Sequence, residues 1–105
     1  MSIYLKMKLT NNQKKCLRSL AHDLKPFVMI GQNGLSESVL AEIDSTMLKH
    51  ELIKIKLRAD NRKEKQEILE KITDFSHAEL VQVIGGVLVI YRPFEDNTDI
   101  ILPRT

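Results

Sequence analysis

A single cysteine among 105 residues excludes an intramolecular disulfide, and that scarcity suits a reducing compartment. No stretch approaches the roughly 18 consecutive apolar residues of a membrane helix. The opening MSIYLKMKL is broken by Lys6 and Lys8, so it does not read as a signal peptide, and the expectation is a cytoplasmic protein with no membrane attachment. Internal repeats, low-complexity tracts, the phosphate-loop pattern GxxxxGK[ST] and a dinucleotide fingerprint are all missing. His22, His50 and His77 fall at the ends of three different expected helices, without the close spacing of metal ligands. Cys16 borders an apolar helix face with no acid or base fixed beside it, and Glu37, Glu42, Asp44, Glu64, Glu67 and Glu70 fall mainly on solvent-facing sides. These absences leave no metal, cofactor, small-molecule substrate or catalytic group to expect: the chain does not read as an enzyme.

What is present fits one domain, with 43% apolar and 29% charged residues. The net charge of +2 is unevenly placed: residues 1–30 carry six cations against Asp23, or +5, so the remaining 75 residues sum to −3. Such polarity marks a surface that meets an anion, although a lysine-rich solvated helix would give the same pattern.

Thr10 and Gln13 form a capping box, and Leu17, Leu20, Ala21 and Leu24 recur at helical spacing, which predicts a first helix over about Asn11 to His22. At about 100° per residue, Lys14, Lys15, Arg18 and His22 gather on a sector separate from the leucines. Phe27 to Ile30 is apolar on both parities, as in a short strand covered on both faces. Ser36 is a good N-cap for a second helix whose stripe is Val39, Leu40, Ile43, Met47 and Leu48, with Leu35 and Leu40 as a hydrophobic staple. From Ile53 the period becomes two, Ile53, Ile55, Leu57 and Ala59 alternating with Lys54, Lys56 and Arg58, so a half-buried strand with a basic outer face is expected. Asn61 with Glu64 opens a third helix carrying Ile68, Leu69, Ile72 and Phe75, and Gly85–Gly86 joins Leu80–Ile84 to Val87–Tyr91 as a hairpin. The apolar end Ile100, Ile101 and Leu102 is expected to lie back on the body. The order α-β-α-β-α-β-β predicts an α/β fold, an open, mixed four-stranded sheet with three helices.

Two of the chain's four glycines stand three apart in MIGQNGLSES, between the first strand and the second helix. A plain turn would use them. A glycine turn feeding a helix also aims backbone N–H groups and the positive end of the helix dipole at one spot, where a sugar-phosphate chain can come close. Modules with a GxxG loop clamp a few nucleotides in this way.

The segment LAHDLKPFVMIGQNGLSESVLAEIDSTMLKHELIKIKL, with VQVIGGVLVIYRP and the closing ILPR, resembles the bacterial single-domain, YhbY-like members of the CRM (chloroplast RNA splicing and ribosome maturation) family. The likeness runs from about Leu9 to Arg104, leaving residues 1–8 as an N-terminal extension and 9–105 as the CRM-like RNA-binding domain with its C-terminal tail. It implies a fold similar to the C-terminal domain of a bacterial translation initiation factor, with a KH-like GxxG loop of Gly31, Gln32, Asn33 and Gly34. It also implies a non-catalytic RNA-binding protein acting in ribosome assembly, whose partners are precursor ribosomal RNA of the large subunit and the pre-ribosomal particle. Family members often carry a basic residue inside the loop. Here both middle residues are neutral, which leaves phosphates to backbone N–H groups and outside cations: Lys25, Lys54, Lys56 and Arg58, with Lys14, Lys15 and Arg18 of the first helix. Arg92 joins them as an RNA contact unless it pairs with a carboxylate. With Phe27 and Phe75 expected in the core, little remains for base stacking beyond Tyr4, Tyr91 and Phe94, so shape and phosphates should dominate recognition. The competing reading is a protein-interaction module that joins the pre-ribosome through a protein partner, using the tail or the second helix.

Overall fold

The computed structural model describes residues 8–31 and 33–105. Apart from Lys8, the extension at residues 1–8 lies outside the described residues, as does Gln32. Helix α1 is Asn11–His22, and its capping box is complete: the Thr10 hydroxyl accepts from the Gln13 N–H at 3.1 Å and the Gln13 side chain accepts from the Thr10 N–H at 3.0 Å. Strand β1, Val28–Ile30, leads into α2, Glu37–Met47, where Ser36 caps the Val39 N–H. Strand β2 is Leu52–Leu57, and α3 is Arg62–Ser76, capped by Asn61 on the Glu64 N–H. The reciprocal arm of that third cap reaches one residue further, Glu64 accepting from the Asp60 N–H at 3.4 Å. Strands β3, Glu79–Ile84, and β4, Val87–Tyr91, close the expected hairpin, with a bulge between Leu80 and Gln82.

The sheet order is β1-β2-β4-β3, with β1 parallel to β2 and the other two pairs antiparallel. One face is the main core, where Ile43 and Met47 of α2 and Ile68, Leu69 and Ile72 of α3 close over Val28, Ile30, Ile53, Ile55, Leu88 and Ile90. On the opposite face, α1 and the C-terminal tail cover Leu52, Val81, Val89 and Tyr91 with Leu9, Leu17, Ala21, Leu24, Ile100 and Leu102. Because α1 packs on β3, β2 and β4, the β1 edge of this second face is left open.

That geometry corrects several expectations. β1 is covered on one face only: Val28 and Ile30 are buried, but Met29 is 67% exposed and Phe27 37%. The strand that is apolar on both parities and covered on both faces is β4, in the middle of the sheet. Phe75 is half exposed because the helical period brings Ser76 to the sheet beyond Ile72. Leu20 and Leu48 are likewise exposed, and in the tail Ile100 and Leu102 pack on the body whereas Ile101 does not.

The hairpin turn has positive φ at Gly85 (+56°), the position that a type II′ turn reserves for glycine. Gly86 is constrained by space: a Cβ there would lie 2.5 Å from the Leu57 carbonyl oxygen, beside a hydrogen bond from the Leu57 N–H to the Gly86 carbonyl at 2.6 Å. Gly86→Ala must therefore push the turn off β2, and we expect it to lower stability by about 1–3 kcal/mol in urea unfolding. An unchanged unfolding midpoint would contradict the close approach.

Candidate nucleic-acid interface

The alternation of β2 sends Ile53, Ile55 and Leu57 into the main core and Lys54 and Lys56 to the second face. Directly opposed residues of neighbouring strands share a face, so two rows can be read across the sheet there. One crosses all four strands as Met29, Lys56, Val87 and Ile84. The next holds Lys54, Val89 and Gln82, extended to Phe27, whose N–H donates to the Lys54 carbonyl at 2.8 Å. Neither row contains a carboxylate.

Helix α1 stands over the β3 side of these rows. Arg18, Ala21 and His22 form one wall of a cavity of ≈ 190 Å³ whose other walls are Lys54, Gln82, Ile84, Val87 and Val89. The basic sector of α1 and the basic face of β2, inferred separately from two periodicities, thus meet across a single cleft. Lys14 and Lys15 continue the Arg18 sector one turn earlier, Lys15 exposed and Lys14 half-buried.

Arg58 follows β2 at the same end of the sheet as the glycine turn. Its N–H donates to the Ile30 carbonyl at 3.0 Å, and its side chain lines a broad depression with Gly31, Asn33, Gly34, Ser36 and Val39. Gly34 has φ +75°, which favours glycine, and its N–H closes the turn on the Gly31 carbonyl at 3.0 Å, so that donor is engaged within the protein. Gly31 has neither constraint: its φ is ordinary and an added Cβ would meet nothing within 4 Å. Ser36 caps the start of α2 and Glu37 sets a negative charge in its first turn, which weakens the helix terminus as an anion site.

Two expected contacts lie at the other end of the sheet from the glycine turn. Lys25 is exposed ahead of Pro26, at the opposite end of β1 from the glycine turn. Arg92 is buried, and its Nη1 donates to Asp44 Oδ1 and to the Ser76 carbonyl, both at 2.8 Å, tying α2 to the end of α3. The carboxylate pairing is the outcome for Arg92, and its place among RNA contacts is withdrawn. Asp44, expected on a solvent side, is that partner.

No local pattern in the sequence marks Glu51. It is 2% exposed, and its carboxylate accepts from the backbone N–H groups of Phe94, Asp99 and Ile100 at 2.6, 2.8 and 2.7 Å. Burial, with the Glu51 charge beside it, pushes the Tyr91 phenol up to about 12. Among the described residues, no group of three or more His, Cys, Asp or Glu side chains is placed to hold a metal, and no helix is long and apolar enough to cross a membrane.

The model of the CRS1/YhbY (CRM) domain matches residues 9–92. An RNA-binding protein of Haemophilus influenzae is 49% identical over 96 residues, covering 91% of this chain and 96% of its own length. A protein of Pseudomonas aeruginosa named "Probable RNA-binding protein" is 42% identical over 86 residues, 82% of this chain and 83% of its own. The solution structure of the hypothetical protein SAV1595 from Staphylococcus aureus superposes with a TM-score of 0.78 at 43% identity, covering 91% of this chain and 100% of the other.

Proposed function

This chain belongs to the CRS1/YhbY (CRM) domain family, and from that premise we propose that it is a non-catalytic RNA-binding protein that acts on precursor RNA of the large ribosomal subunit during assembly. The observation that carries the reading is the meeting of Arg18 with Lys54 across one cleft, continued by Lys56 and Arg58 toward the glycine turn. Phosphates lie along that line, with Lys14 and Lys15 extending it along α1. At its end Gly31 and Gly34 put no side chain over the backbone beside Asn33, although the Gly34 N–H is already engaged by the Gly31 carbonyl. The relatives named as RNA-binding proteins support the same partner class, and the pre-ribosomal particle is the setting that the family likeness implies.

Salt dependence tests the claim. Four phosphates neutralised on single-stranded RNA give a slope of log affinity on log salt of about −3, so raising salt from about 50 to 200 mM should weaken binding on the order of 50-fold. Filter binding with no salt dependence would contradict phosphate recognition.

A second reading has one observation in its favour. The end of α2 and the start of the tail frame a depression lined by Met47, Leu48, Pro93 and Phe94, with Leu48 66% exposed, where a protein partner could dock. Crosslinking in cells separates the two: RNA dominates under the first, one defined protein under the second.

A further inference from the structure

The row Met29, Lys56, Val87, Ile84 is a poor surface for phosphate alone. Met29 and Ile84 are 67% and 65% exposed, so a sheet face that would serve a purely ionic contact with polar residues carries large aliphatics instead. We propose that this row seats one or two unstacked bases of single-stranded RNA, whose flanking phosphates are held by Lys54, Lys56 and Arg18. The proposal rests on the RNA-binding reading above and narrows it to a class of RNA.

Three features carry it. First, the row sets its one cation, Lys56, between the aliphatics Met29 and Val87, so the Lys56 stem continues the apolar strip while its ammonium rises to a phosphate. Second, Ile84 and Val87 also line the cleft under α1 together with His22 and Gln82, whose side chains supply donors and acceptors suited to a base edge. At ≈ 190 Å³ that cleft is smaller than the roughly 300–1,000 Å³ of pockets that enclose a small-molecule ligand, but it can admit part of a single ring system. Third, the row lies beside the glycine turn, since Met29 precedes Gly31 by two residues and Lys56 precedes Arg58 by two. A strand that runs from the turn across the sheet toward the α1 cleft passes over the row. An A-form duplex keeps its bases stacked inside and would bring only ribose and phosphate to these aliphatics. A second copy of the chain fits worse, because a two-fold contact through this face gathers Lys54, Lys56 and Arg18 of both copies into one interface with no carboxylate in either row.

The test compares the full-length protein with Met29→Thr/Ile84→Thr, which alters no charge and keeps strand-favouring residues. The probes are a 12-nucleotide oligouridylate and a 12-base-pair RNA duplex of mixed sequence. The variant should bind the oligouridylate about tenfold more weakly, bind the duplex within about twofold of wild type, and keep its salt slope. Equal weakening on both probes, or none on the single strand, overturns the proposal while leaving phosphate binding intact. Wild-type protein that binds neither probe overturns both readings. Should the variant unfold, 4-thiouridine crosslinking of the wild type decides: crosslinks within residues 29–31 and 82–89 are expected. Crosslinks confined to other segments, or the row crosslinking in particles to a protein in place of RNA, overturn it.

Discussion

Glu51→Ala is expected to release the chain beyond Pro93 and to lower folding stability by about 2–4 kcal/mol. The buried carboxylate satisfies three backbone N–H groups of one loop, and no cationic side chain shares it among the described ion pairs. Were the tail to stay docked in the alanine variant, three donors would be left without an acceptor, at about 1–3 kcal/mol each. Undocking lets those donors reach water. Among the described contacts it forfeits the partial burial of Ile100 and Leu102, part of the cover over the cluster that holds Leu52 and Tyr91, and the hydrogen bonds from Gln13 and Asn12 to the Pro103 and Thr105 carbonyls. Undocking is the smaller loss, so the variant should keep its sheet while the amides of Phe94, Asp99 and Ile100 lose protection in hydrogen exchange. Glu51→Gln retains one acceptor oxygen and should fall between the two. Tyr91 gives an independent optical readout: with the neighbouring charge gone and the tail lifted, its phenol must titrate lower than in the wild type. An alanine variant with wild-type stability, protected tail amides and an unmoved Tyr91 would refute this account.

Neither the role of Glu51 nor the partner of Arg92, whose pairing with some carboxylate is one of two readings, could be recognised in the sequence, and for the same reason. Their partners are main-chain groups or a carboxylate far along the chain, 43 to 49 residues away for the Glu51 oxygens and 48 for the Arg92–Asp44 pair. No local periodicity encodes such contacts. The helix starts were legible because caps are local chemistry: Thr10, Ser36 and Asn61 each bond a group three residues ahead. The period-two run of β2 was legible on the same ground. Strand order was not, and strand order decides burial. Phe27–Ile30 and Val87–Tyr91 look alike as apolar runs, yet β4 lies between β2 and β3 while β1 stands at an edge that α1 does not cover. An expectation of double cover for β1 hides Phe27 and Met29, and with them an exposed sheet row that mixes aliphatic and cationic side chains. The candidate interface was therefore half legible: its cations could be read from two faces, but their meeting across a cleft depends on where α1 sits.

The largest effect on function should come from neutralising that meeting place. Arg18→Gln, Lys54→Gln, Lys56→Gln and Arg58→Gln together remove the cations that the fold aligns from the α1 cleft to the glycine turn. Each phosphate left without its cation should reduce the magnitude of the salt slope by about 0.7 on single-stranded RNA, so a four-fold variant starting near −3 should be almost insensitive to salt and bind at least about 100-fold more weakly at low salt. The fold should survive, because Arg18, Lys56 and Arg58 are exposed and Lys54, at an intermediate position, can keep much of its packing as glutamine. A control neutralises Lys49 and Lys71, exposed cations after α2 and on α3, the helices that cover the opposite face of the sheet, which should change affinity only slightly. Gly31→Ala then separates the turn from the cations. Its Cβ meets nothing within 4 Å, so stability should hold, and a loss of affinity with an unchanged salt slope would mark contact with the backbone there. Should the four-fold variant keep both its affinity and its slope, the phosphates lie on another face, and the cleft under α1 is only a seam between helix and sheet.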